Sequence, residues 1–480
     1  ERPDGVLKHV EALIAGTSRT AAMQRLLLPA ILSMFADAPD PDGGMLAYRQ
    51  VSEQLGSTPW YLRLLRDEGA VTTRLARVLG SSKYVAGLLG RAPEAIQLLA
   101  EASDLQPRPT HAIEMKMFAA AGRAKTPEDA IAAIRSIRRG ELVRIACADI
   151  LDRLDVFAVG QALTSVADAT IRASLSVAGK QVAADADIGI GEYPVDLSVI
   201  AMGRYGGDEL GYGSDADVMY VYDVREGHDP EYAAKIALRT VELMIKLLAK
   251  PGADPAVGLD ADLRPEGRNG ALVRSIDSFR EYYERWSQPW ERQALLRARP
   301  CAGDDVLGAR FVQLIDPYRY PDGGLSPTEL REIRRIKARV DSERLPRGAD
   351  PTRHLKLGRG GLSDIEWTVQ VLQLQHAYDH RGLRTTSTIK ALRAAEEDGL
   401  IGREEAAALE SAWVLVSRCR DANMLAKGKP SDELPRLPKE LIQVARLVGY
   451  PDDIASDRFL DDYAKTTRRA HNVAVRLLYT

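Results

Sequence analysis

Asp215 and Asp217 form an Asp-x-Asp pair immediately before an apolar run, Val218–Tyr222. In an extended strand, side chains at i and i+2 share a face, with Cα atoms roughly 6.5–7 Å apart. Two carboxylates so placed repel each other and raise each other's pKa unless a cation lies between them. A hard divalent cation resolves that conflict, and carboxylates together with substrate phosphates are how proteins usually hold Mg²⁺. Downstream, residues 257–265 read VGLDADLRP, a second strand-like run with Asp260 and Asp262 on one face. A third acid from that run beside Asp215 and Asp217 gives the donor set of a two-metal phosphoryl-transfer site. The plain alternative is that these aspartates cap turns.

The elements that must position the acids are legible around them. Val195–Met202 is short, apolar and partly β-branched, which predicts a buried strand. A glycine-dense turn follows, with Gly203, Gly206, Gly207, Gly211 and Gly213. After the acids, Pro230 to Lys250 reads as an amphipathic helix. Residues 1–185 are rich in Ala, Leu, Arg and Glu with apolar positions recurring at three and four, which predicts an almost wholly helical region. Within it, Thr126-Pro127-Glu128-Asp129 has the composition of a helix start, and Pro39–Gly44 that of a loop. Residues 276–345 return to helix. Leu355 and Leu357 suggest a short strand before the Gly358–Gly361 turn, with Ser363 or Asp364 capping the helix that follows. Residues 386–480 read as helices broken by loops at 427–438 and 449–452.

The segment Gly203-Arg204-x-Gly206-Gly207-x-Glu209-Leu210-Gly211-Tyr212-x-Ser214-Asp215-x-Asp217 resembles the signature of the DNA polymerase β-like nucleotidyltransferases. Where that superfamily has Gly or Ser, Arg204 stands, as in the glutamine synthetase adenylyltransferases, which carry Lys or Arg there. Those enzymes have two related halves, one adding AMP to glutamine synthetase and one removing it, and Gly211-Tyr212 is similar to the AMP-adding, C-terminal half. Further blocks share the likeness: Ser82–Glu94, Arg138–Asp155 with its core Leu142–Ile150, Asp260–Gly267, Trp290–Arg299 and His354–Ala377. The resemblance implies an α+β, mostly helical fold. A central polymerase β-like sheet in a catalytic domain (186–345) would be flanked by an N-terminal helical region (1–185) and a C-terminal helical bundle (346–480).

For the site, the resemblance implies Asp215, Asp217 and Asp260 as catalytic and metal-binding acids, while Asp262 stands where the family often has Arg. Gly203, Arg204, Gly206, Gly207, Ser214 and Arg264 would surround the phosphates, and Lys356 would join them if its strand flanks the sheet. Arg297, Arg299 and the basic run Arg331–Arg344 are second-tier phosphate candidates, while Arg144 and Asp149 read as a solvated helix face. The implied reaction takes ATP as substrate and Mg²⁺, or Mn²⁺, as cofactor. It moves AMP to a tyrosine of glutamine synthetase, with a PII-type signal protein as a second partner in regulating bacterial nitrogen assimilation. The competing readings are the AMP-removing half, a PII uridylyltransferase and a non-catalytic docking module.

Composition narrows the class further. The net charge of −3 over 480 residues gives no basic field for nucleic acid. No apolar run reaches the about 18 residues of a membrane span. Three cysteines, Cys147, Cys301 and Cys419, lie far apart with no paired spacing, which predicts free, partly buried thiols in a reducing cytoplasm. The first residue is Glu1 rather than Met, as expected of a piece of a longer protein.

Overall fold

The computed structural model describes residues 3–56, 58–189, 191–251, 257–450 and 455–479. The fold is α+β and mostly helical, with a small mixed sheet held between helical layers. The five strands are β1 (Val195–Ala201), β2 (Ala216–Val224), β3 (Leu259–Asp260), β4 (Val273–Ser275) and β5 (Arg299–Gly303). Their order is β3-β2-β1-β5, and β4 also pairs with β2, beyond β3. β1 is antiparallel to β2 and β5, whereas β3 and β4 run parallel to β2.

Both faces of the central strands are covered, which is why β1 and β2 read as continuous apolar runs rather than alternating ones. Val199, Ala201, Val218 and Tyr220 join a core built by the N-terminal helices, including Pro127–Ile150 and Val156–Asp185. Ile200, Met219 and Val221 pack on the opposite side with Phe279 and Phe311. A further core around Trp413, Leu392 and Phe459 holds the C-terminal helices Leu362–His376, Thr388–Glu397, Arg403–Lys427, Pro438–Val448 and Ala455–Tyr479.

Several local expectations hold. Thr126 caps Pro127–Ile150, its hydroxyl accepting from the Asp129 N–H, with Pro127 at the first helical position. Others are corrected. Pro39–Gly44 is not a loop throughout: the helix Pro41–Leu55 starts inside it, capped by Asp40. The strand expected over 257–263 is only Leu259–Asp260. It ends there because Arg264 donates to the carbonyls of Ala261, Arg268 and Gly270, folding 261–270 into a closed turn. β5 lies in a stretch expected to be helical. Pro300 supplies no N–H, and the register of β5 on β1 shifts between Val199 and Ile200. Leu355 and Leu357 form no strand; an isolated bridge joins His354 to Glu433 instead. Gly361, not Ser363 or Asp364, stands at the cap position of Leu362–His376. Positions 451 and 452 of the loop expected at 449–452 lie outside the described residues.

Cys147, Cys301 and Cys419 are free and buried. Burial pushes the thiols of Cys147 and Cys301 up to about 12. Among the described residues no helix is long and apolar enough to cross a membrane.

Candidate active site

β1 delivers the chain to Met202, whose N–H donates to the Asp217 carbonyl at 2.8 Å. Gly203 follows with φ +53°, and a Cβ there would stand 2.2 Å from Asp217 Oδ2. Only glycine fits that approach, so the turn hugs the acid closely. Asp217 is the second residue of β2, and its partner in parallel β3 is Asp260. The structure therefore sets these two acids side by side on adjacent strands. Burial raises the Asp217 carboxyl to about 7; Asp260, then Asp215 and Glu366, push the same way, and Lys356 partly offsets them.

Gly203, Asp217 and Asp260 line a cavity of about 990 Å³. Its cations are Arg268, Arg297, Arg339, Arg344 and Lys356, and Trp290 and Trp367 supply aromatic wall. Asp215 does not line this cavity. It precedes β2, is exposed, and lies beside Gly258, where a Cβ would meet Asp215 Oδ1 at 2.7 Å. With Ser214 and Ala216 it borders a second cavity of about 610 Å³. Among the described residues no three His, Cys, Asp or Glu side chains form a ready-made metal cage. Asp217 and Asp260, with space left by the missing Cβ of Gly203, nonetheless fit a hard divalent cation. Mg²⁺ is commonly held by one or two carboxylates and takes its remaining ligands from water and substrate phosphates.

The basic and glycine residues expected around the phosphates have other partners. Arg204 donates to the Glu209 carbonyl, to Glu366 at 3.2 Å and to Ser417, and its guanidinium lies over Trp413. It ties the glycine turn to the C-terminal bundle. Arg264 spends its donors on the carbonyls of its own turn, and Asp262 pairs with Arg268 at 2.6 Å. Ser214 Oγ accepts from the Gly211 N–H at 3.3 Å, which makes it a turn cap. Gly206 and Gly207 make room for Arg297: a Cβ at Gly206 would sit 1.8 Å from the Arg297 carbonyl oxygen, and one at Gly207 2.8 Å from its Nη1. Arg297 is buried against Glu209 and donates to Thr386 and Thr388, while Arg299 pairs with Asp168 and Asp208.

Arg144 and Asp149 do not form a solvated face. Arg144 is buried and donates to Glu141. Asp149 accepts from the Tyr212 hydroxyl at 3.0 Å, and the Tyr212 N–H donates to Asp421 at 3.2 Å. These bonds clamp the turn that carries Asp215 from two helices, Pro127–Ile150 and Arg403–Lys427. Burial raises Asp149 to about 7, with Asp421 adding to the rise.

Lys356 reaches the site from the turn before Leu362–His376. Asp364 pins that turn, accepting from the Gly360 N–H at 2.8 Å, from buried Lys337 at 2.7 Å and from His471 at 2.8 Å. Burial would raise Asp364, but His471 and Lys337 outweigh it and hold the carboxyl below its usual range. Trp290 and Trp367 lie in blocks that carry the family likeness, but their aromatic rings read as ordinary helix packing, so neither they nor Gln370 stood out as cavity residues.

Comparison with known proteins places the chain. Residues 72–314 match the family model for glutamate-ammonia ligase adenylyltransferase, and residues 334–478 match that for GlnD PII-uridylyltransferase. A bifunctional glutamine synthetase adenylyltransferase/adenylyl-removing enzyme of Streptomyces coelicolor is 49% identical over 99% of this chain and 48% of its own length. Enzymes with the same description from Nocardia farcinica and Mycobacterium bovis are each 48% identical, over 99% and 98% of this chain and 47% of their own length. The chain spans about half the length of the curated relatives it matches.

Proposed function

The chain belongs to the glutamate-ammonia ligase adenylyltransferase family, and from that premise we propose that it transfers AMP from ATP to a tyrosine hydroxyl of glutamine synthetase. The observation that carries this reading is the pairing of Asp217 with Asp260 on adjacent strands beside Gly203, in a cavity whose other charged groups are mostly cations. Asp215, Asp217 and Asp260 would hold Mg²⁺ together with the triphosphate. When bound, the cation would offset charge on the departing pyrophosphate and lower the tyrosine pKa from about 10.

The chain's own groups divide the remaining work. Lys356, Arg339 and Arg344 face the space where the β- and γ-phosphates would lie, and a guanidinium can bind two phosphate oxygens at once. Trp290 and Trp367 give the base an apolar wall. The tyrosine oxygen attacks the α-phosphorus as the bond to the bridging oxygen breaks, and that electron pair leaves with pyrophosphate. A carboxylate of the acid row, Asp215 or Asp260, would take the phenolic proton. Arg204 and Arg264 act as positioning residues, through the turns they brace.

Asp217→Asn should abolish AMP transfer with the thermal melt preserved. Incubation with ATP, Mg²⁺ and glutamine synthetase, read by intact mass, tests both points. The unaltered chain should add one AMP per acceptor subunit, and transfer by the variant at an undiminished rate would refute the reading. The reverse, AMP-removing activity enters as a second reading because the relatives' descriptions name both activities. Release of ADP from adenylylated glutamine synthetase and orthophosphate would favour it. Preference for UTP over ATP would favour a uridylyl transfer like that named for the model matched by residues 334–478.

A further inference from the structure

The acids of the site are divided between two cavities. Asp217 and Asp260 face the cationic space of about 990 Å³, whereas Asp215 borders the separate space of about 610 Å³. In-line transfer at phosphorus puts the entering oxygen and the leaving oxygen on opposite sides of the reacting atom. With the triphosphate among Lys356, Arg339 and Arg344, the acceptor needs an entry outside that space, and the cavity at Asp215 offers one. We propose that the cavity of about 610 Å³ receives the tyrosine-bearing segment of the acceptor protein. This rests on the adenylyl-transfer reading above.

The chemistry of that cavity differs from its neighbour's in the required direction. Leu142, Leu163 and Val166 give it an apolar floor. Tyr84 and Tyr212, in edge contact at 5.6 Å between ring centres, give it an aromatic wall. An apolar slot of this kind takes a phenol ring and leaves the hydroxyl at the Asp215 end. Lys83, Arg91 and Arg138 lie at its cationic side, contributed by the helix Lys83–Leu89, the turn after it and the helix Pro127–Ile150. The occupant is therefore an extended segment with a tyrosine flanked by acidic residues. Charge of this pattern steers encounter and sets register more than it adds affinity. Seated there, the tyrosine oxygen forms its bond to the α-phosphorus while pyrophosphate departs into the cationic cavity with the electron pair, and the phenolic proton passes to Asp215, the acid that borders this cavity.

Two substitutions on the cavity rim leave the acid row untouched. Gly87 is exposed, and a Cβ there would meet nothing within 4 Å, so a side chain can start from this rim position and Gly87→Phe adds bulk at the cavity entrance. Arg91→Glu reverses an exposed charge. The full chain is assayed for AMP transfer to glutamine synthetase, and for Mg²⁺-ATP binding by calorimetry. The expected result is a KM for glutamine synthetase raised tenfold or more by each variant, with the Kd for ATP moving less than twofold. Tenfold weaker ATP binding, whatever happens to KM, overturns the proposal and gives the cavity to the nucleotide base. Unchanged values of both also overturn it. An unaltered chain that transfers no AMP removes the adenylyl-transfer reading itself, which is a separate and recognisable failure.

Discussion

Lys356 is the cation that offsets the acid cluster around Asp217, and Arg204 is not. Lys356→Met should lower kcat/KM for ATP about 100-fold, in line with losing one charged contact to a transferring phosphoryl group. The melting temperature should not change; a fall in melting with activity per folded molecule intact would assign Lys356 to structure instead. Asp149 offers a pH test. Its carboxyl is raised to about 7 in the fold from an ordinary carboxylate value near 4. A group raised in this way favours folding at low pH, and that contribution is lost as pH rises through about 7. Asp149→Asn should therefore gain stability relative to the parent on going from pH 5 to pH 8, by about 2 kcal/mol. A pH-independent difference would mean that Asp149 does not titrate in this window. The Asp215-x-Asp217 pair could be singled out from its spacing, but the spacing did not show that Asp217 would sit beside Asp260 while Asp215 borders another cavity. The partners of Arg204 and Arg264 were not legible, because Glu366 lies 162 positions from Arg204, and the carbonyls around Arg264 become acceptors only once the turn has closed.

At the scale of elements, two glycines that look alike in sequence behave differently in space. Gly206 faces the Arg297 carbonyl so closely that Gly206→Ala should cost about 3 kcal/mol or more, or abolish folding, because backbone cannot yield as a side chain can. Gly87 sits in an exposed helical turn, and Gly87→Ala should leave stability equal or raise it by about 0.5–1 kcal/mol. Parallel thermal melts decide both, and equal responses would contradict the packing described. The buried strands β1 and β2 announced themselves by continuous apolar runs. β5 did not, since Arg299-Pro300-Cys301-Ala302-Gly303 has little strand propensity and exists by pairing with β1. β3 is likewise set by its neighbour, with its short length fixed by the turn that Arg264 closes.

Across the whole molecule, the central sheet and its flanking turns share buried polar bonds with the C-terminal bundle. Glu209 accepts from the Thr388 N–H and hydroxyl, and Arg297 donates to Thr386 and Thr388. Arg204 reaches Glu366 and Ser417, and Ser82 in the N-terminal helices donates to the Leu425 carbonyl. Ending the chain at residue 345 would strand the buried Glu209–Arg297 pair without these partners, a costly state for charged groups. Such a fragment should aggregate or lose its cooperative melt, measured by size-exclusion chromatography and calorimetry; a monomer melting like the parent would show that the bundle is dispensable. The layered α+β arrangement follows from helical periodicity on either side of the strand pair, whereas the seams between layers depend on residues hundreds of positions apart.

The sealed thiols have a practical consequence. With Cys147, Cys301 and Cys419 shut inside the protein and burial raising all three thiols, a Gly87→Cys variant would carry a single outward-facing thiol, ready for a maleimide reagent. A label there would obstruct the same rim as Gly87→Phe, so the readout is protection: a seated acceptor should slow maleimide labelling of that thiol, with no background from the native cysteines.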